Sequence, residues 1–262
     1  MMTKAIAKIL TILITGSAIL STAACGESRP GMATQERLDQ AKAISNYEEK
    51  KPIDANLVGN ISGLVTFSGK SPRVTIINLS SDAVCAAAHS APVKSASYVV
   101  SEDGELANVV VTIKKGLEAY NLPQEEIPNL NQKGCIYGPR VIIAQPGKVT
   151  IQSSDDTLHN VHSFSKKNAA FNVAMPGPGT LEKKFDRPEI IRLKCDVHAW
   201  MKAFIVVAET MGDVSKVDGN YMIEGLPVGE YEVEAWHEEL GTKTATIKVE
   251  KDKTASLNFD FS

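Results

Sequence analysis

From Ile61 to the C-terminus the apolar residues fall in short runs, several of them alternating with polar residues, and turn-forming residues end each run. Alternation at a period of two suits a pleated strand with one buried face and cannot be laid on a helix. Candidate strands are Ile61 to Ser68, Ser97 to Val100, Ala107 to Lys114, Arg140 to Ala144, Lys148 to Ser153, Asn160 to Ser165, Leu181 to Phe185, Ile190 to Lys194 and Ala203 to Ala208. Asn220 to Glu224, Tyr231 to His237, Lys243 to Val249 and Ala255 to Phe261 follow. Gln145-Pro146-Gly147, Pro176-Gly177-Pro178-Gly179 and Pro227-Val228-Gly229 separate them as turns. The expectation is an all-β fold of sandwich or barrel type.

The segment before this pattern is different in kind. Lys4 and Lys8 precede an apolar run from Ile9 to Leu20, and small residues from Ser21 lead to Cys25. That order is an export signal, and the run is short for a bilayer span. Thr22-Ala23-Ala24-Cys25 resembles the bacterial lipobox, with Thr where Leu is usual, which implies cleavage after residue 24 and a lipid on Cys25. Gly26 after that Cys resembles lipoproteins sorted to an outer membrane, facing the periplasm or the cell surface. Polar residues with Pro30 and Pro52, and a short amphipathic stretch at Gln35 to Ile44, read 25–57 as a flexible tether.

Charge bounds the partners. The chain carries a formal −3, and residues 1–24 hold two lysines and no acid, so the remainder carries −5. A nucleic-acid partner is not expected on that balance.

The chemistry lies in Cys195-Asp196-Val197-His198-Ala199-Trp200-Met201. Thiolate and thioether favour Cu(I), imidazole serves both oxidation states, and two His with one Cys and a weak axial Met form a blue-copper electron-transfer set. Ile191, Leu193 and Cys195 share one strand face, and Arg192 and Lys194 the other, so the thiol points inward. The second imidazole is expected from His159, which shares a face with Val161. His162 lies on the opposite face with Asn160 and is expected to be a half-exposed strand residue.

Four cysteines occur. With Cys25 and Cys195 assigned, Cys85 and Cys135 remain to form a disulfide in an oxidising compartment. Free buried thiols, or a second metal site from Cys85, His89 and Cys135, are the alternatives. Trp236-His237-Glu238-Glu239 contains a further His, read as a structural residue at a strand end.

With Leu158-His159-Asn160-Val161-His162 and the C-x2-H-x2-M loop both in place, the stretch from about Gly134 to Glu209 resembles the cupredoxins, and among them the amicyanin group. The resemblance implies one type 1 copper held by His159, Cys195, His198 and axial Met201, with Asn160 tying the two ligand loops together. It also implies an electron-transfer surface at His198, Ala199 and Trp200. Ala199 and Trp200 depart from the Pro and Phe of that group, as does Pro188-Glu189-Ile190-Ile191-Arg192 from the usual lead-in. The run Asp218 to Tyr231 resembles carboxypeptidase-regulatory-like, transthyretin-type β-sandwich modules. The expected arrangement is therefore a cupredoxin at 129–209 inserted into a second sandwich made of 58–128 and 210–262. A separate C-terminal sandwich behind an N-terminally extended cupredoxin is the alternative.

The implied function is a membrane-tethered electron carrier that serves redox partner proteins, is not an enzyme and has no small-molecule substrate. A copper-delivery lipoprotein and a metal-free surface sandwich are the rival readings. A copper enzyme of the nitrite-reductase kind is not expected, because five histidines leave too few for an added catalytic centre.

Overall fold

The computed structural model describes residues 49–70, 73–124 and 126–262. The expected signal segment, Cys25 and the Gln35 to Ile44 stretch lie outside the described residues. Among the described residues no helix is long and apolar enough to cross a membrane.

Almost all of the regular structure is strand, arranged as two sandwiches. In the first, a five-stranded sheet runs in the order Asn172–Met175, His159–Phe164, Glu189–Lys194, Lys202–Val207, Val141–Ala144. Its last pair is parallel and the others antiparallel. The opposing sheet has the order Gly179–Phe185, Gly147–Ser153, Asn129–Lys133, Ile136–Gly138. Between them lies one core that includes Leu130, Ile151, Val161, Phe185, Ile191, Leu193, Cys195 and Ile205. Full burial of such a Leu or Ile side chain contributes about 1.5–3 kcal/mol, which fixes the strand parity read from Ile191, Leu193 and Cys195.

The second sandwich pairs Gly212–Val214, Val110–Lys115, Gly229–His237 and Gly241–Val249 in one sheet. The other sheet centres on Val58–Phe67, which is flanked by Asn220–Pro227 and, in parallel, by Thr254–Ser256 and Phe259–Phe261. Ile61, Val65, Val111, Tyr231, Val233 and Phe261 fill its core. The chain therefore leaves this sandwich after Leu122, builds the first, and returns at Met211.

Three expectations need correction. Ser97 to Val100 is not a strand; Val100 makes only an isolated bridge to Leu106. Ala255 to Phe261 is two short strands, because Leu257 N turns to Ser62 O and Asn258 Oδ1 takes the Leu64 N–H between them. The last part of the expected tether is folded: Lys51–Pro52 pairs with Tyr120–Asn121, and Ile53 packs on the second core.

The sandwiches meet along the outer face of Lys202–Val207, which explains why that strand is apolar on both sides. Phe204 and Val206 contact Val110, Val141 and Trp236, with the Phe204 and Trp236 rings edge-on at 5.3 Å. Arg140 closes one end, donating to Glu238 Oε1 at 2.7 Å and to the Lys202 carbonyl at 2.7 Å. Lys202 is the second cation on that buried carboxylate, so neither charge is left unpaired.

Candidate metal centre

Cys195 follows the last residue of the strand Glu189–Lys194, and His159 opens the strand His159–Phe164 beside it. The loop from Cys195 turns back on itself: Met201 N donates to His198 O, and Cys195 N donates to Met201 O. This return places His198 over the strand ends. The Nδ1 atoms of His159 and His198 are 3.0 Å apart, and the Cys195 sulfur is 4.0 and 3.9 Å from them. All three residues are buried. The point equidistant from the three donors lies about 2.1 Å from each, within the roughly 2.0–2.3 Å at which imidazole and thiolate hold a zinc-sized ion.

Met201 is buried in the same core cluster as Cys195. The Cys195 sulfur accepts N–H groups from Asn160 and His198, each at 3.4 Å. The Asn160 side chain receives the Asp196 N–H and donates to the Asp196 carboxylate, which ties the His159 strand to the Cys195 loop. His162 lies on the outer face and donates from Nδ1 to Asp196 at 2.9 Å. Lys194, followed by the hydrogen bonds of Asn160 and Asn172, holds the Asp196 carboxyl well below the usual carboxylate range.

Two carboxylates stand behind the histidines, and neither was expected. His159 donates from Nε2 to Asp155 at 2.9 Å, leaving Nδ1 free as a donor atom. Asp155 is itself held by the N–H groups of Gly134 and Cys135 at 2.6 and 2.8 Å. Those two residues form the two-residue turn between Asn129–Lys133 and Ile136–Gly138, both with positive φ, the geometry of a tight hairpin turn. Gly134 is required there, since a Cβ would also sit 2.9 Å from the His89 ring. Burial pushes the His159 pKa below its ordinary value against the opposing pull of Asp155. The ring is therefore neutral and able to act as a ligand near pH 7.

The second carboxylate is Asp82, at the N-cap of the short helix Ala83–Ala87. The Cys85 N–H, then the Thr157 hydroxyl, lower its pKa to about 2. Asp82 Oδ2 and the Cys85 sulfur lie 3.4 and 3.5 Å from His198 Nε2. Cys85 is joined to Cys135 by the expected disulfide, and His89 Nε2 bonds to the Gly134 carbonyl at 2.7 Å. The alternative metal site of Cys85, His89 and Cys135 is thereby replaced.

The loop expected to form the electron-transfer surface, His198 to Trp200, is only partly exposed. His198 is 2% exposed, because the cap formed by Asp82, Cys85 and the disulfide covers its outer edge. Ala199 is exposed and Trp200 half-buried, with the indole N–H bound to the Cys135 carbonyl at 2.8 Å. The imidazole does not reach the surface between them. His237 is also buried, against Tyr98 and Phe261.

No protein-family model matches the chain, and no curated protein sequence matches it. Solved structures do. A purple cupredoxin from Nitrosopumilus maritimus is 18% identical over 31% of this chain and 99% of its own, with a TM-score of 0.28. A methionine-to-alanine variant of amicyanin in its Cu(I) form is 19% identical over 37% of this chain and 98% of its own, at 0.30. A copper-containing nitrite reductase from Thermus scotoductus is 18% identical over 36% of this chain but only 25% of its own, also at 0.30. The overlaps span about a third of the chain, so its own side chains decide what the site can do.

Proposed function

We propose that the chain is a type 1 copper protein that carries single electrons between extracytoplasmic redox partners. His159, Cys195 and His198 would hold the metal, with Met201 as the fourth ligand. The carrying observation is the buried triangle of two Nδ1 atoms and one thiol sulfur, with room for an ion about 2.1 Å from each. Copper bound there would supply a Cu(I)/Cu(II) couple, which suits a donor set mixing soft sulfur with imidazole.

The chain's own residues do the rest. Asp155 and Asp82 fix the two rings from behind, as outer carboxylates do for metal-bound histidines. The N–H groups of Asn160 and His198 aimed at the sulfur hold negative charge on it. The cap over His198 excludes water, which favours retention of the ion and electron transfer over delivery of copper to another protein. In this reading the second sandwich is an accessory module of the regulatory-like kind. The lipid on Cys25 would tether the carrier to a bacterial membrane, and no substrate is transformed.

Loading the full-length protein with Cu(II) is the test. An intense visible thiolate-to-copper band, bleached reversibly by ascorbate and lost in Cys195→Ser, is expected. Weak absorption alone, unchanged in Cys195→Ser, would refute the assignment.

A further inference from the structure

The cap over His198 leaves open where a partner docks, and the other side of Cys195 supplies the surface. On the outer face of the five-stranded sheet, Phe204 and Val206 are covered by the second sandwich. His162, Phe164, Ile190, Arg192 and Lys194 occupy the part of that face left uncovered. Phe164 and Ile190 are 36% and 41% exposed, apolar side chains on this face that the second sandwich does not cover. Cations surround the ring: the Arg192 guanidinium lies 4.4 Å from its centroid and the Lys194 ammonium 5.4 Å. The His162 ring stacks on it at 4.4 Å. The one carboxylate directly on these residues, Asp196, is already engaged by His162 and Lys194. The patch is thus cationic on a chain whose overall charge is −3.

A bonded route joins this patch to the thiol. Asn160 N donates to the Cys195 sulfur, the Asn160 side chain bonds Asp196, and Asp196 accepts from His162, whose ring lies against Phe164. Lys194 adds a covalent step, being the residue before Cys195. Tunnelling decays less steeply through bonded atoms than across gaps, so the route couples this face to the thiol.

We propose that His162, Phe164, Ile190, Arg192 and Lys194 form the electron port, and that the partner is a one-electron redox protein presenting an acidic surface. The inference rests on the copper reading above. Copper held by His159, Cys195 and His198 would give up one electron, Cu(I) to Cu(II), and the partner's acceptor would be reduced by one; no bond breaks and no proton moves. Complementary charge of this kind chiefly sets encounter rate and its salt dependence.

Two measurements on the full-length copper protein test the port. Hexacyanochromate(III), an anionic paramagnetic probe, added to the Cu(I) form should broaden the amide resonances around Phe164 and Arg192. Broadening centred on 82–89 and 199–200 overturns the proposal. In stopped-flow oxidation by hexacyanoferrate(III), Arg192→Glu combined with Phe164→Ala should slow the reaction about tenfold at low salt. The visible band and potential should stay in place, and Ala199→Glu should change the rate less than twofold. The reverse sensitivity overturns the port while the copper reading stands. Failure of the wild-type protein to develop the band would sink both.

Discussion

Removing the Cys85–Cys135 crosslink is the sharpest perturbation of the cap. The bond closes a loop with a sequence separation of 50, for which the loss of unfolded-chain entropy corresponds to about 4 kcal/mol. Replacing both residues with Ala removes that constraint while keeping small apolar side chains at two fully buried positions. With a guanidinium m-value of roughly 4 kcal/mol/M, the unfolding midpoint should fall by about 1 M. The same change frees one side of the His198 pocket, since the cap is then held by the Asp82 and His89 bonds and by the packing of Leu79, Ile77 and Val93 on the first core. Copper loss to a Cu(I) chelator such as bathocuproine disulfonate should therefore accelerate by an order of magnitude or more relative to wild type. Denaturant melts of the metal-free forms, paired with chelator kinetics of the loaded ones, measure both effects. A midpoint shift below about 0.25 M would show that the disulfide does not constrain the chain, and unchanged chelator kinetics would show that it does not seal the site.

Three further outcomes are expected. Asp155→Asn removes the charge behind His159 and leaves an amide group facing the Gly134 and Cys135 N–H donors, so copper affinity should drop about 10- to 100-fold in competition titrations; an unchanged affinity would show that Asp155 does not position the ring. Met201→Gln should shift the visible spectrum and the potential while copper stays bound, and total insensitivity would remove Met201 from the ligand set. Burial pushes His237 down to about 4, against roughly 6.5 when unfolded. Between those values the unfolded chain takes up a proton that the folded chain refuses, so this contribution is complete above about pH 6.5 and is lost as the pH falls towards 4, by about 3 kcal/mol. Thermal melts of His237→Phe should show a flatter dependence on pH across that window, and a slope equal to wild type would contradict the account.

The parts of the fold legible in the sequence are those written in periodicity. The inward parity of Ile191, Leu193 and Cys195 and the pairing of His159 with Val161 follow from alternation within one strand, and both faces agree with the structure. The all-β architecture follows from the same signal. What escaped was carried by contacts distant in sequence. Asp155 stands in a polar turn, and only its position four residues before His159 hinted at a bond back to that ring. Asp82 belongs to a segment with no apolar period and reaches His198 across 116 positions. For the same reason the burial of His198 was invisible: the loop that carries it gives no sign of a cap supplied from elsewhere. The strand Asn129–Lys133 was also missed, because Asn129, Asn131 and Lys133 leave only Leu130 as an apolar mark while Gln132 is buried through bonds to Tyr137 and the Asn160 carbonyl.

The capping segment is contributed by the connection between two strands of the other sandwich, Val58–Phe67 and Val110–Lys115. Residues 129–209 produced alone would keep all four proposed ligands and lose Asp82 and Cys85, leaving Cys135 as an unpaired thiol beside an open imidazole. The two halves therefore share one centre, and neither can be exchanged for a homologous part without carrying the matching piece of the other. Any recombination, natural or engineered, that treats the first sandwich as a free-standing cassette would inherit the proposed ligand set without its seal.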